Sequence, residues 1–251
     1  MKIKIFLITI LIFPLLSVVG FAQFDFDNFD VGPRIAINSF ELIWSTDAYT
    51  PYEYQGRALA SQGSEVTVEA IVSAVNGDPD DLKYSWFLDN IFQRTKSGYG
   101  ENSFHFYVLR YSGTHHIIKL QIFNEDRSVF EEKTIKIPVV EPEVVVYPSN
   151  GNGHFSDQIS KTSFVLAEKE FSFIAKPFFF GVKELTGLSF EWRFPGQEPI
   201  ISSDYDANVL ALTVSGKEGF EEILENNFRI SVTNKTDSRQ KVSQRIKIKI
   251  Y

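Results

Sequence analysis

Two stretches of this chain carry the same series of short alternating runs about 105 residues apart, and that repetition restricts the fold more than any other feature. Glu65-Val66-Thr67-Val68-Glu69-Ala70 matches Glu170-Phe171-Ser172-Phe173-Ile174-Ala175, and Leu82-Lys83-Tyr84-Ser85-Trp86 matches Leu188-Ser189-Phe190-Glu191-Trp192. Before them Glu41–Trp44 matches Glu143–Val146. After them Phe104, Phe106 and Val108 match Leu210, Leu212 and Val214. Ile118, Leu120, Ile122 and Asn124 then match Phe228, Ile230, Val232 and Asn234, and Ile135 and Ile137 match Ile246 and Ile248. Strict alternation puts apolar side chains on one face of a strand and polar ones on the other, so each run packs on one side and faces water on the other. Six such runs in the same order, separated by Gly, Pro, Asn and Asp, predict two copies of one Greek-key β-sandwich.

The residue inventory agrees. Of 251 residues, 24 are Phe and 10 are Tyr against a single Met, which suits a pleated, half-buried surface better than a helical bundle. A hydrophobic fraction of 43% supplies enough apolar surface for real cores. Cysteine is absent, so disulfides, thiolate metal sites and a lipid-modified N-terminal cysteine are all excluded.

Met1–Ala22 has the pattern of a secretory signal: Lys2 and Lys4 precede an apolar run from Ile5 to Val19, with Gly20 and Ala22 as the small residues of a cleavage site before Gln23. The expected division is therefore a signal peptide over 1–22, a disordered spacer over 23–38, a first sandwich over 39–140 and a second over 141–251. Retention of the leader as an anchor is the other possibility. In the spacer, Phe24, Phe26 and Phe29 alternate with aspartates ahead of Gly32-Pro33. The link Val139–Glu143 passes from one copy to the next with almost no spare residues, predicting a stiff tandem pair. Gly216–Glu225 is the one stretch with a hint of helical periodicity.

These residues resemble the polycystic-kidney-disease-type (PKD-type) and related immunoglobulin-like repeats of bacterial surface and secreted proteins. The resemblance rests on Tyr84-Ser85-Trp86, on Gly113-Thr114, and on the alternating Ile118, Leu120 and Ile122 that end in Asn124. It covers most of 39–148 and, more weakly, 144–251. The Gly-Asp-Gly turn that follows the tryptophan strand in that family is replaced by Leu88-Asp89-Asn90 in one copy and Phe194-Pro195-Gly196 in the other. The resemblance implies an all-β, PKD-like Greek-key fold and a role in spacing, display or binding at a cell surface.

A net charge of −7 and the lack of any basic run argue against nucleic acid as a partner. The best metal candidate is the loop Asn76–Asp81, where Asp78, Asp80 and Asp81 place three hard oxygen donors within reach of a calcium ion, although the same residues suit an ordinary turn. No other cofactor is expected. His115 and His116 are adjacent in a strand and point to opposite faces, and with His105 and His154 they complete a small inventory that forms no ligand set. Glu131-Glu132 and Glu221-Glu222 are sequence neighbours, not acids facing across a cleft, and no nucleophile elbow is present.

The sequence therefore predicts no catalysis. Phe178-Phe179-Phe180 is the feature the fold explains least, because three consecutive aromatics cannot all face one core. At least one of them, together with Tyr52 and Tyr54, is a candidate surface for stacking on a sugar or anchoring a protein. The expected partners are a cell-surface protein or a polysaccharide. An exported protein, secreted, periplasmic or surface-bound, with no membrane span in its mature part, acting as spacer or adhesive module, is the leading reading; carbohydrate binding is second and a secreted hydrolase third.

Overall fold

The computed structural model describes residues 35–150, 154–155, 163–166, 170–202, 206–213 and 224–250. The leader 1–22, the spacer as far as residue 34 and most of 216–225, with Glu221 and Glu222, lie outside the described residues. Residues Ile35–Tyr251 make one compact unit. Its strands run, in chain order, β1 (Ala36–Thr46), β2 (Ala60–Ser61), β3 (Glu65–Val75), β4 (Lys83–Leu88), β5 (Ile91–Phe92), β6 (Gly98–Tyr99), β7 (Ser103–Tyr107), β8 (His115–Phe123) and β9 (Phe130–Val140). They continue with β10 (Glu143–Asn150), β11 (His154–Phe155), β12 (Ser163–Leu166), β13 (Glu170–Phe178), β14 (Leu188–Arg193), β15 (Ile200–Ser202), β16 (Val209–Thr213), β17 (Leu224–Asn234) and β18 (Lys241–Ile250). The only helical turns described are short 3-10 segments, among them Pro79–Asp81 and Leu185–Gly187.

Four sheets arise, in two pairs of matching order. The first pair is β1-β3-β7 against β2-β9-β8-β4-β5, with β6 also joined to β4. The second is β11-β10-β13-β16 against β12-β18-β17-β14-β15. In each copy the small strand that precedes the second long one crosses sheets and pairs in parallel with the last strand: β2 with β9, and β12 with β18. All other pairings are antiparallel. This is the strand order of an immunoglobulin-like sandwich, repeated in tandem. β1 begins at Ala36, inside the stretch read from sequence as spacer, and a register shift between Ile37 and Ser39 marks where its pairing with β3 becomes regular.

The alternating runs supply the cores. Val66, Val68 and Ala70 of β3, Leu82 just ahead of β4, Tyr84 and Trp86 of β4, and Ile118, Leu120 and Ile122 of β8 form one buried cluster with Phe104, Phe106, Val108, Ile137 and Val139. Phe173, Ala175, Leu188, Phe190, Trp192, Phe228, Ile230, Val232, Ile246 and Ile248 belong to the other. Each tryptophan is wedged between the two sheets. The Trp86 ring stacks on Phe104 at 5.6 Å, and Trp192 lies 5.8 Å from Phe228. Each indole N–H is also spent on a main-chain carbonyl 15 residues further on, Glu101 at 2.8 Å and Ala207 at 3.4 Å, which satisfies the one polar group a buried indole brings with it.

Asn124 and Asn234 close equivalent turns. Asn124 Oδ1 accepts from the Val129 N–H at 3.0 Å, and Asn234 Oδ1 accepts from the Thr236 N–H at 2.9 Å. Both asparagines thus act as local backbone mimics at the C-terminal ends of β8 and β17.

Truncating Trp86 to Ala removes the largest side chain of the first core, and the expected loss of unfolding free energy is about 3–5 kcal/mol. Tyr52→Ala, at a fully exposed loop position, should change it by less than about 0.5 kcal/mol. Urea denaturation of the two variants checks this, and near-equal midpoints would show that the core is not built around the indole.

Candidate functional site

The place where the two sandwiches meet gathers the buried polar residues Ser61, Ser64, Asn234 and Gln240 and the aromatic run that the fold alone leaves unexplained. β9 passes into β10 through Glu141 and Pro142 only. Beside that link, the loop after β1 reaches across: Tyr49 N–H donates to the Phe180 carbonyl at 2.6 Å, and Phe179 N–H donates to the Tyr49 carbonyl at 2.7 Å, making a two-bond antiparallel bridge. The loop itself is pinned to β3, where Asp47 Oδ1 accepts from the Glu65 N–H at 2.7 Å and Thr46 Oγ1 donates to the Glu65 carbonyl at 2.8 Å. Burial raises the Asp47 carboxyl above its ordinary value in this position, the Glu65 N–H offsetting it only in part.

The Phe178-Phe179-Phe180 run is accommodated by a left-handed residue. Phe179 has φ of 62°, a conformation that is strained for an aromatic side chain and that turns successive rings out of simple alternation. Phe180 is fully buried in the second core, and Phe179 is 8% exposed. Tyr54 packs edge-on to Phe178 at 5.4 Å and to Phe179 at 6.0 Å. Of the aromatic platform expected from sequence, Phe179 and Phe180 are therefore taken up by the protein itself, because the β1–β2 loop lies over them. Phe178 remains half-buried and lines a groove of about 320 Å³ with Pro51, Glu53, Tyr54, Tyr147 and Lys176. Lys176 pairs with Glu53 and lies 4.8 Å over the Tyr147 ring. The hydrogen bond from Lys176 holds the Glu53 carboxyl below the usual carboxylate range. Tyr52, expected with Tyr54 as a stacking residue, projects wholly into solvent.

Gln240 is the polar centre of the junction. Only 2% exposed, it accepts from the Gly181 N–H at 2.9 Å and from Asn234 Nδ2 at 2.8 Å, while its Nε2 donates to the Gln62 carbonyl and to Ser61 Oγ at 3.3 Å. One amide thereby satisfies groups in both sandwiches. Gly181 sits in a crowded place: a Cβ there would stand 3.0 Å from Gln240 Nε2 and 3.1 Å from the backbone of Ser64, so either neighbour would have to give by a few tenths of an ångström. Nothing local in the sequence flags Gln240, which is 179 residues from Ser61.

The acidic loop is organised as a turn. Asp78 caps the 3-10 segment by accepting from the Asp80 N–H at 3.0 Å, with Pro79 at its first position, and the fully buried Tyr84 donates its hydroxyl to the Pro79 carbonyl at 3.2 Å. Burial, with Asp80 and Asp78 nearby, pushes that hydroxyl up to about 12. Asp80 and Asp81 are exposed in the first turn of the segment. Among the described residues no three His, Cys, Asp or Glu side chains come together in a way that holds a metal ion. The second copy has an equivalent 3-10 turn, Leu185–Gly187, without the acids.

His115 is exposed and His116 is buried, on opposite faces of β8 as adjacent strand residues must be. His116 Nδ1 lies 2.8 Å from Asp89 Oδ2, which also accepts from Arg110 Nε at 3.0 Å, while Asp89 Oδ1 accepts from the Ile117 N–H at 2.9 Å. Asp89 and Asn90 have φ of 51° and 69°, forming the two-residue turn between β4 and β5 that stands where the Gly-Asp-Gly turn was missing. His105 lies on the surface, 2.8 Å from Lys96 Nζ. Glu132 is engaged by Gln121 and Lys119 on the sheet surface.

No family model matches the chain, and no curated protein does. Among solved structures it is similar to the three N-terminal domains of the Highly Immunogenic Outer Capsid protein of bacteriophage RB49, at 14% identity and a TM-score of 0.48, over 86% of this chain and 59% of that one. It is also similar to Sidekick-1 immunoglobulin domains 1–5, at 10% identity and 0.30, over 87% and 40%, and to an ICAM-5 D1–D4 ectodomain fragment, at 11% and 0.29, over 85% and 54%. The chain spans less than two thirds of the length of each.

Two outcomes are expected at these positions. Asp78→Ala should destabilise by about 1 kcal/mol through the lost cap, equally with calcium or with EDTA; a shift of the melting temperature that appears only with calcium would make the loop a cation site. Asp89 gives a pH signature. Burial acts to raise its carboxyl, but the Ile117 N–H, His116 and Arg110 outweigh that and hold it below the ordinary carboxylate value. Its contribution is thus present above the unfolded pKa and lost as pH falls through the folded one. The stability of Asp89→Asn should accordingly fall less steeply than wild type between about pH 5 and pH 2, and parallel acid limbs would remove Asp89 from the response.

Proposed function

We propose that this chain is a non-catalytic structural and interaction module of an exported protein, in which two immunoglobulin-like sandwiches are held in one mutual orientation so that their outer surfaces are presented together. The observation that carries it is the buried Gln240 amide, which binds Ser61 and Gln62 of one sandwich and Gly181 and Asn234 of the other. A buried amide bonded on all sides favours a single arrangement, since any sliding leaves several polar groups unpaired. The Tyr49 to Phe180 bridge, the Lys176 to Glu53 pair and the two-residue link add to the same end.

An extracytoplasmic setting is supported by the leader-like N-terminus. The PKD-type resemblance and its bacterial surface setting belong to this reading. The side chains most suited to chemistry are engaged in structure: Asp78 in a cap, Asp89 in a turn, His116 on Asp89, and Glu53 on Lys176. Carbohydrate contact keeps one observation in its favour, the groove between Tyr54 and Phe178.

The reading is tested by coupling. Wild type should unfold in one calorimetric transition, and Gln240→Ala in two, with a loss of about 1–3 kcal/mol in the less stable half. In parallel, purified protein is incubated with washed cells, isolated wall polysaccharide and a panel of ester, peptide and glycoside substrates. Retention without turnover supports the module; turnover abolished by a single acidic or nucleophilic substitution would overturn it.

A further inference from the structure

The outward face of the sheet β12-β18-β17-β14-β15 carries a row of arginines that the cores and the junction do not use. Arg193 of β14 is the direct cross-strand partner of Arg229 of β17, and Arg229 is the direct partner of Arg245 of β18. Their neighbours Trp192, Phe228, Ile230 and Ile246 point into the core, so all three arginines share the solvent face and all are exposed. Strand spacing brings successive members of the row to within about 5 Å at the backbone. Like charges placed directly opposite one another across strands are destabilising, so three in succession act against folding unless something compensates them.

Compensation within the described residues is partial. Glu191 accepts from Arg193 Nε at 3.1 Å and from its Nη2 at 2.5 Å, while Arg229 and Arg245 have no hydrogen-bond or ion-pair partner among the described residues. The row borders a concavity of about 470 Å³, whose other walls include Gln197, Asn227 and the Pro195-Gly196 turn. Gly196 takes a φ of 72°, and open space surrounds its missing Cβ. The corresponding face of the first sandwich is of another kind. It presents Phe87, Phe92, Phe123 and Phe130, with Lys119 and Lys83 over two of the rings.

We propose that Arg193, Arg229 and Arg245 form a binding site for the carboxylate or sulfate groups of an acidic polysaccharide, with Gln197 and Asn227 recognising its hydroxyls. Guanidinium forks bind planar and tetrahedral oxyanions through two parallel N–H donors, and amide side chains both donate to and accept from hydroxyls. The rest of the molecule narrows the choice. With a net charge of −7 the overall field repels a densely charged nucleic acid, whereas a glycan with one charge per sugar meets the cationic row without confronting the acidic remainder. The site rests on the proposed exported role only in the choice of an extracellular polymer. Its test is a binding measurement in solution that is independent of location.

The test uses the full chain in calorimetric or interferometric binding to polygalacturonate and iota-carrageenan, with neutral dextran, polyglutamate and double-stranded DNA as comparators. The expected result is binding to one or both anionic polysaccharides that falls at least about tenfold in Arg229→Gln/Arg245→Gln. The same charge change made on the other sandwich, Arg94→Gln/Lys96→Gln, should leave it within about twofold. Retention by polygalacturonate alone assigns a carboxylate, and by iota-carrageenan alone a sulfate. A second readout separates a binding role from a structural one: at low salt Arg245→Gln should melt at the same temperature as wild type or higher, since it relieves like-charge opposition. Absence of polysaccharide binding, equal loss in the Arg94/Lys96 variant, or preference for polyglutamate or DNA overturns the proposal.

Discussion

Without a cysteine, each sandwich must keep its two sheets together by apolar contact alone, and both copies solve that with the same indole in the same place. Trp86 and Trp192 sit on the strand next to the second sheet's long partner, where antibody domains place a tryptophan against a disulfide. Here the aromatic packed on the indole is Phe104 of the opposite sheet in one copy and Phe228 of the same sheet in the other. The wedge is preserved while its contact surface is rebuilt. The parity of every neighbouring strand follows from this, because a one-residue slip beside the indole would send a whole apolar face into water.

That constraint explains how much of the fold is legible in the sequence. Where burial is one-sided, as in Val66, Val68 and Ala70 or Ile118, Leu120 and Ile122, the period of two writes the strand and its inward face directly into the residue order. The short strands β2, β5 and β15 have two or three residues each and no room for a period. They are fixed by what the chain must reach, as when Ala60 and Ser61 cross to pair with Val139 and Val140. The start of β1 at Ala36, ahead of the stretch that alternates cleanly, has the same origin: pairing with Val75 and Ala74 holds it, and pairing partners are not local.

The junction shows the limit of sequence reading more sharply. Phe178-Phe179-Phe180 announces itself as anomalous, yet what resolves it is a left-handed Phe179 and a loop that starts some 130 residues earlier, at Asp47. Gln240 gives no signal at all, being an ordinary residue in a turn until Gly181 and Ser61 are brought to it. The acidic turn at Asp78 is the opposite case. The same composition that suggests oxygen ligands is what a capped 3-10 turn demands, and Asp78 accepts from the Asp80 N–H as such a cap does.

The arginine row completes a pattern in how this protein uses its two sheets. Duplication conserves what faces inward, since the inner residues of β4, β8 and β9 recur on β14, β17 and β18 with the same register. It leaves the outer faces free to diverge, and they have done so toward phenylalanine in the first copy and arginine in the second. One arginine on each of three separate strands makes no motif along the chain and becomes a cluster only when the sheet aligns them. A fixed junction then has a physical consequence for such surfaces. Two faces of different chemistry held at one angle would engage a long partner as a single unit, because the entropy of orienting the second contact would already have been spent in folding.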